Sequence, residues 1–133
     1  MAIKYSTAAR NAKMDTLTTS IGTSAKLRIY SGTRPANPAA SITGTLLAEL
    51  ICSASAFAAA SSGGVLTANA IASGTGAASG TATHFRLWKS DGTTAVVDGD
   101  VAISGADLNI NNTSIASGQT VSVSSFALTE NNG

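Results

Sequence analysis

A chain of 133 residues with a formal net charge of +1 and one cysteine is long enough for a single core burying about two-thirds of its unfolded surface, so neither disulfides nor metal are needed to fold it. No run approaches the roughly 18 apolar residues of a membrane-spanning helix, and the N-terminus lacks the basic start, apolar stretch and cleavage site of a signal peptide, so the protein is expected to be made and kept soluble. Charged residues are 11% of the chain against about 25% in an ordinary soluble domain, and the Ala, Ser, Thr, Gly and Asn that replace them predict an uncharged polar surface suited to being covered by neighbours.

The small net charge conceals a split. Residues 1–40 carry six bases against Asp15, and residues 91–133 carry Asp91, Asp98, Asp100, Asp107 and Glu130 with no base. The bases stand singly, without interleaved aromatics, which argues against a nucleic-acid arm. Pairing of the two ends, within or between subunits, is at least as good a reading.

Residues 5–21 form the one good helix candidate, with Ser6 or Thr7 as N-cap, Gly22 just past the end, and Met14, Leu17 and Ile21 on one narrow apolar stripe. A helix so lightly apolar is marginal alone and is expected to dock on a sheet or on a neighbouring chain. From Ala25 the period changes to two, and Leu27 and Ile29 alternate with Lys26, Arg28 and Tyr30 as in a half-buried strand. Residues 31–44 hold both prolines and read as a long contact loop carrying Arg34.

Residues 45–52 are apolar apart from Glu49 and predict a buried strand, with a short helix as the alternative. Cys52, at the end of this run, reads as a small buried apolar residue. Phe57 is the anchor expected within the low-complexity stretch 54–62, and Gly63-Gly64 marks a turn into a strand over 65–71. Residues 72–80 read as a small-residue loop.

The clearest turn signal is Ser90-Asp91-Gly92-Thr93 between two extended runs, which predicts a β-hairpin within 82–97. On its first arm Phe85 and Leu87 face one way and His84, Arg86 and Trp88 the other, where something is expected to cover Trp88. Val101 with Ile103, and Leu108 with Ile110, suit short strands, with Asp98-Gly99 and Ser104-Gly105 as punctuation. Asn111-Asn112-Thr113-Ser114 matches the glycosylation pattern twice, a chance match without a secretion signal. The last strand, 120–128, changes phase at Ser124-Ser125, which predicts a bulge. Together these elements predict a mainly β, single-domain chain: a helical arm over 1–22, then a β-sandwich over 23–133, jelly-roll-like in the broad sense, of seven or eight short strands.

No catalytic constellation is visible. His84 is the only imidazole and has no clustered acid or nucleophile in sequence, so it reads as a strand residue on a partly covered face. Asp98, Asp100 and Asp107 lack the spacing of a known Ca²⁺ loop, and the glycines at 74–80 are followed by a strand with no Lys-Ser/Thr, so neither metal nor nucleotide is expected. The expectation is a non-enzyme without catalytic residues, metal or cofactor.

Several segments carry a resemblance: Met1–Met14; Gly22–Gly32, ending Lys-Leu-Arg-Ile-Tyr-Ser-Gly; Gly63-Gly64-Val65-Leu66-Thr67; Gly80–Trp88; and Asn112–Val121. In this order, over nearly the whole chain, they resemble small head-associated virion proteins of tailed bacteriophages. The resemblance implies a decoration, cement or minor capsid component that binds between major capsid protein subunits on the capsid exterior. It also implies synthesis in the host cytoplasm, a homo-oligomer with a trimer favoured, and no nucleic-acid or membrane partner. Arg10 and Lys13 on the helix, Arg34 in the Pro loop and Trp88 on the hairpin are the expected partner contacts, because Arg and aromatic side chains dominate interface energetics. A tail or fibre-attachment component and a carbohydrate-binding β-sandwich are the rival readings.

Overall fold

A computed structural model of the chain describes residues 3–130. Helix α1 (Thr7–Ile21) starts where the Ser6 hydroxyl accepts the Ala9 amide and ends at Gly22, whose N–H still bonds to the Thr18 carbonyl and whose φ of 78° turns the chain out of the helix. Met14 and Ile21 are buried and Leu17 packs against the core, so the narrow stripe does face inward. Polar contacts complete the docking: Asn11 Oδ1 accepts the Gly64 amide and Asp15 Oδ1 the Ala60 amide, each at 2.7 Å. At 131–133 and 1–2 the expected sandwich and arm extend outside the described residues.

The strands follow in chain order: β1 (Lys26–Tyr30), β2 (Leu46–Ile51), β3 (Val65–Thr67), β4 (Gly74–Thr75), β5 (Gly80–Thr81), β6 (His84–Trp88), β7 (Ala95–Ala102), β8 (Leu108–Ile110), β9 (Ser114–Ile115), β10 (Thr120–Val121) and β11 (Val123–Thr129). Seven of them make one mixed sheet in the order β2-β1-β6-β7-β8-β11-β3, antiparallel except for β7 with β8. Two-stranded ladders join β10 to β4 and β5 to β9. The large sheet curls until its halves face each other, giving a sandwich-like mainly β domain with one helix. The Phe85 ring of β6 meets that of Phe126 on β11 edge to face at 5.1 Å, although β7 and β8 lie between them in the sheet. Leu27, Ile29, Leu50, Leu66, Leu87 and Leu108 fill the space enclosed. Irregular segments cover both sheet edges, with the Ala77 amide on the Leu47 carbonyl beside β2 and the Ala58 amide on the Thr67 carbonyl beside β3.

Most expected elements form. The predicted bulge falls between Val123 and Ser125, where β11 shifts register against β8. Four expectations need correction. The last strand, expected unbroken over 120–128, is divided into β10, which pairs with β4, and β11 in the large sheet. The strand expected over 65–71 runs only to Thr67 in the sheet, because the Asn69 amide turns to the Ala56 carbonyl. The loop expected over 72–80 contains β4 and ends at the start of β5. Asp98-Gly99, read as a turn, lies inside β7, while Ile103 falls beyond that strand and is exposed. Gly99 stands opposite Phe85 in register, and a Cβ there would run into the Phe85 ring. The glycine makes room for the ring without breaking the strand.

Gly99→Ala is therefore expected to lower stability by about 1–3 kcal/mol, as overpacking of a filled core does, with the loss read from the midpoint of urea unfolding. An unchanged midpoint would show that the Phe85 ring has room to move.

Candidate functional site

Pairing of β2, β1, β6 and β7 arranges their outward side chains in transverse rows. In the central row Glu49 lies opposite Arg28, Arg28 opposite Arg86, and Arg86 opposite Asp98. Two like charges opposed across strands repel; here each has a carboxylate on its other side. Arg86 Nε and Nη2 donate to the two Asp98 oxygens at 2.6 and 2.9 Å, a bidentate pair in which both side chains are nearly fully buried. Arg28 Nε donates to Glu49 at 2.6 Å in a pair that stays partly exposed. The Trp88 ring lies near both guanidinium groups, 5.3 Å from that of Arg28 and 5.5 Å from that of Arg86.

The next row holds Tyr30, His84 and Asp100. Tyr30 stacks on the His84 ring at 5.5 Å, and its hydroxyl accepts from Trp88 Nε1 at 3.2 Å, reaching across the central row. His84 is fully buried. Burial lowers its pKa and the Asp98 charge opposes that shift, so the imidazole stays neutral at pH 7.

What covers these outward residues is the chain's own segment 31–44. The Ser31 amide bonds to the Thr45 carbonyl and the Thr45 amide to Ser31 Oγ, which closes the segment at its base. Three fastenings then hold it to the sheet: Thr83 Oγ1 donates to the Gly32 carbonyl at 2.6 Å, Arg86 Nη2 to the Asn37 carbonyl at 3.1 Å, and Arg34 lies 3.4 Å from Asp100. Asn37 shapes the bend by accepting the Ala39 and Ala40 amides on its side-chain oxygen. Between this strap and the hairpin an open cleft of about 820 Å³ remains, lined by Tyr30, Arg86, Trp88, Pro38, Ile42 and Thr93.

The hairpin turn bounds the cleft. Asp91 Oδ1 accepts the Thr93 and Thr94 amides and Oδ2 the Thr94 hydroxyl; these bonds, the Thr93 amide first, hold its carboxyl well below the usual range. Gly92 has a φ of 70°, and its carbonyl accepts from Arg28 Nη1, so the turn is tied to the charge row.

The four expected contact residues fall into two groups. Arg34 and Trp88 come to the strapped face, as a strap fastening and a cleft wall. Arg10 and Lys13 grip Glu130 at 3.0 and 2.7 Å, and the Lys13 bond is the first cause of a lowered Glu130 pKa. The sequence halves of opposite charge thus pair within the chain, at Glu130 and at Asp100. Cys52 is buried, and burial pushes its thiol up to about 11, so it remains protonated at neutral pH. Among the described residues no group of three or more His, Cys, Asp or Glu side chains gathers to hold a metal. Tyr30, Asn37 and the Arg86–Asp98 pair were missed from the sequence; for Tyr30 and the ion pair the one signal, alternation on adjacent strands, is readable only once strand order is known, and for Asn37, in the strap, there was none. No family model, curated protein or solved structure matches the chain.

The two ion pairs of the central row should differ sharply in weight. Asp98→Ala leaves the Arg86 guanidinium buried and unpaired, and is expected to cost about 3–5 kcal/mol. Glu49→Ala, at the wetter end, is expected to cost at most about 1 kcal/mol. Denaturant titration of both variants checks the difference, and equal losses would contradict it.

Proposed function

We propose that this protein is a structural component of a tailed-phage virion, seated on the capsid exterior and cementing neighbouring major capsid protein subunits. The observation that carries the reading is how little charge its surface leaves free. Among the described residues five ion pairs take up Arg10, Lys13, Arg28, Arg34 and Arg86 with Glu49, Asp98, Asp100 and Glu130. Ser, Thr, Ala and Asn dominate the remainder, with Ile3, Ile51 and Ile103 exposed. Such a surface costs little to desolvate against a neighbour, and repeated contacts around a symmetric shell need each be only modest. The segments resembling head-associated virion proteins support the same reading. Cyclic self-association, with a trimer favoured, fits a protein that bridges subunits.

A second reading, a carbohydrate-binding β-sandwich, is favoured by one observation: Tyr30 and Trp88 line the same cleft, and an aromatic wall suits the apolar faces of sugars. Uniformly flat binding across a panel of immobilised glycans would dismiss it.

Mixing purified protein with undecorated capsids tests the first reading. Wild-type protein is expected to bind to saturation, and Trp88→Ala to need at least about tenfold more protein for half occupancy, as loss of an interface anchor implies. Wild-type protein that leaves capsids bare would defeat the proposal; a Trp88→Ala protein with wild-type occupancy would remove Trp88 from the contact.

A further inference from the structure

The Thr83 hydroxyl has one proton, and its 2.6 Å bond to the Gly32 carbonyl takes it. The 3.0 Å contact between Thr83 Oγ1 and His84 Nδ1 must then run from imidazole to hydroxyl, which fixes the proton on Nδ1. Nε2 is left as a bare acceptor, fully buried and with no hydrogen-bond partner. The hydroxyl that receives the imidazole proton is the same one that fastens the strap.

We propose that His84 is a proton-operated latch for the strap: when its Nε2 takes up a proton at mildly acidic pH, segment 31–44 lifts from the sheet and opens the Trp88 cleft. The groups around the ring give the new charge no seat. From β7, Asp98 has both oxygens on Arg86, and Asp100 lies beside Arg34 of the strap; neither carboxylate bonds to the ring. From β1, Tyr30 offers a stacked ring face. Arg86 on the same strand and Arg34 on the strap oppose protonation, while the two carboxylates favour it. An imidazolium N–H there needs water.

Water has two routes to the ring. Strand β6 is paired on both sides, by β1 and β7, and separating it would break a ladder. The strap is joined to this face by three side-chain fastenings, one of which runs through the residue that His84 already bonds, so lifting it is the smaller change. The direction follows from linkage. His84 is neutral when covered and has its ordinary pKa of about 6.5 when uncovered. The closed state is therefore fully favoured above that value and loses ground as pH falls below it. The Glu130 and Asp91 carboxyls, with lowered pKa values, act only at more acidic pH. The inference stands apart from the virion reading, since it concerns the isolated chain.

Amide hydrogen exchange of the full chain tests it. After correction for the intrinsic pH dependence of exchange, protection of peptides covering 31–45 is expected to fall about tenfold or more between about pH 7.5 and about pH 5, while peptides from α1 keep theirs. In His84→Gln the strap should show the same protection at both pH values. Strap protection independent of pH in the wild type, or falling equally in the variant, would overturn the proposal. Should His84→Gln not fold, an NMR titration of the wild type decides: the His84 ring and the strap amides must share one midpoint, and separate midpoints would overturn the latch.

Discussion

Four charges in a line across four strands set the terms for the rest of this molecule. Arg28 and Arg86 oppose each other on β1 and β6, a pairing that would weaken the sheet if left alone, and Glu49 and Asp98 flank them on β2 and β7. The line is asymmetric. Its β7 end is dry and bidentate, so the N–H groups of Arg86 that Asp98 does not use need partners of their own. Its β2 end is half open to water, where the Arg28–Glu49 attraction is screened and contributes little.

The strap follows from that demand. A guanidinium held against a buried carboxylate still has N–H groups to satisfy, and the Asn37 carbonyl of the strap serves one of them. Once the strap lies across the sheet it also covers His84, and Thr83 fastens it within a hydrogen bond of the imidazole. Trp88 stands at the margin of the covered region, with its N–H on Tyr30 and its ring beside both arginines. The strap, held at Arg86, Thr83 and Asp100, and the Trp88–Tyr30 wall together frame the cleft.

What could be read from the sequence was what local chemistry decides. The helix from its caps at Ser6 and Gly22, the hairpin from Asp91-Gly92, β1 from the alternation of Leu27 and Ile29, and the bulge near Ser124-Ser125 each depend on a few adjacent residues. Burial of Phe57 and Cys52 followed from apolar character alone. The failures are non-local. Gly99 looked like a turn because the ring that needs its missing side chain belongs to Phe85 on the neighbouring strand. The outward face of β6 was expected to be partly covered, yet the burial of Arg86 and His84 by residues about fifty positions away depends on strand order and on a loop path that no periodicity encodes. Arg34 was expected in a loop that contacts a partner; that it reaches Asp100 of the same chain was not legible.

The strapped face combines a partly covered aromatic with an open cleft, and under the proposed virion role it is the face that meets another subunit. A density map of an intact particle containing this chain would test that most directly. The expected map shows the chain on the outside of the capsid, bridging major capsid protein subunits, with the Trp88 cleft against a neighbour. A chain located in the tail, or one on the capsid with that cleft open to solvent, would contradict it.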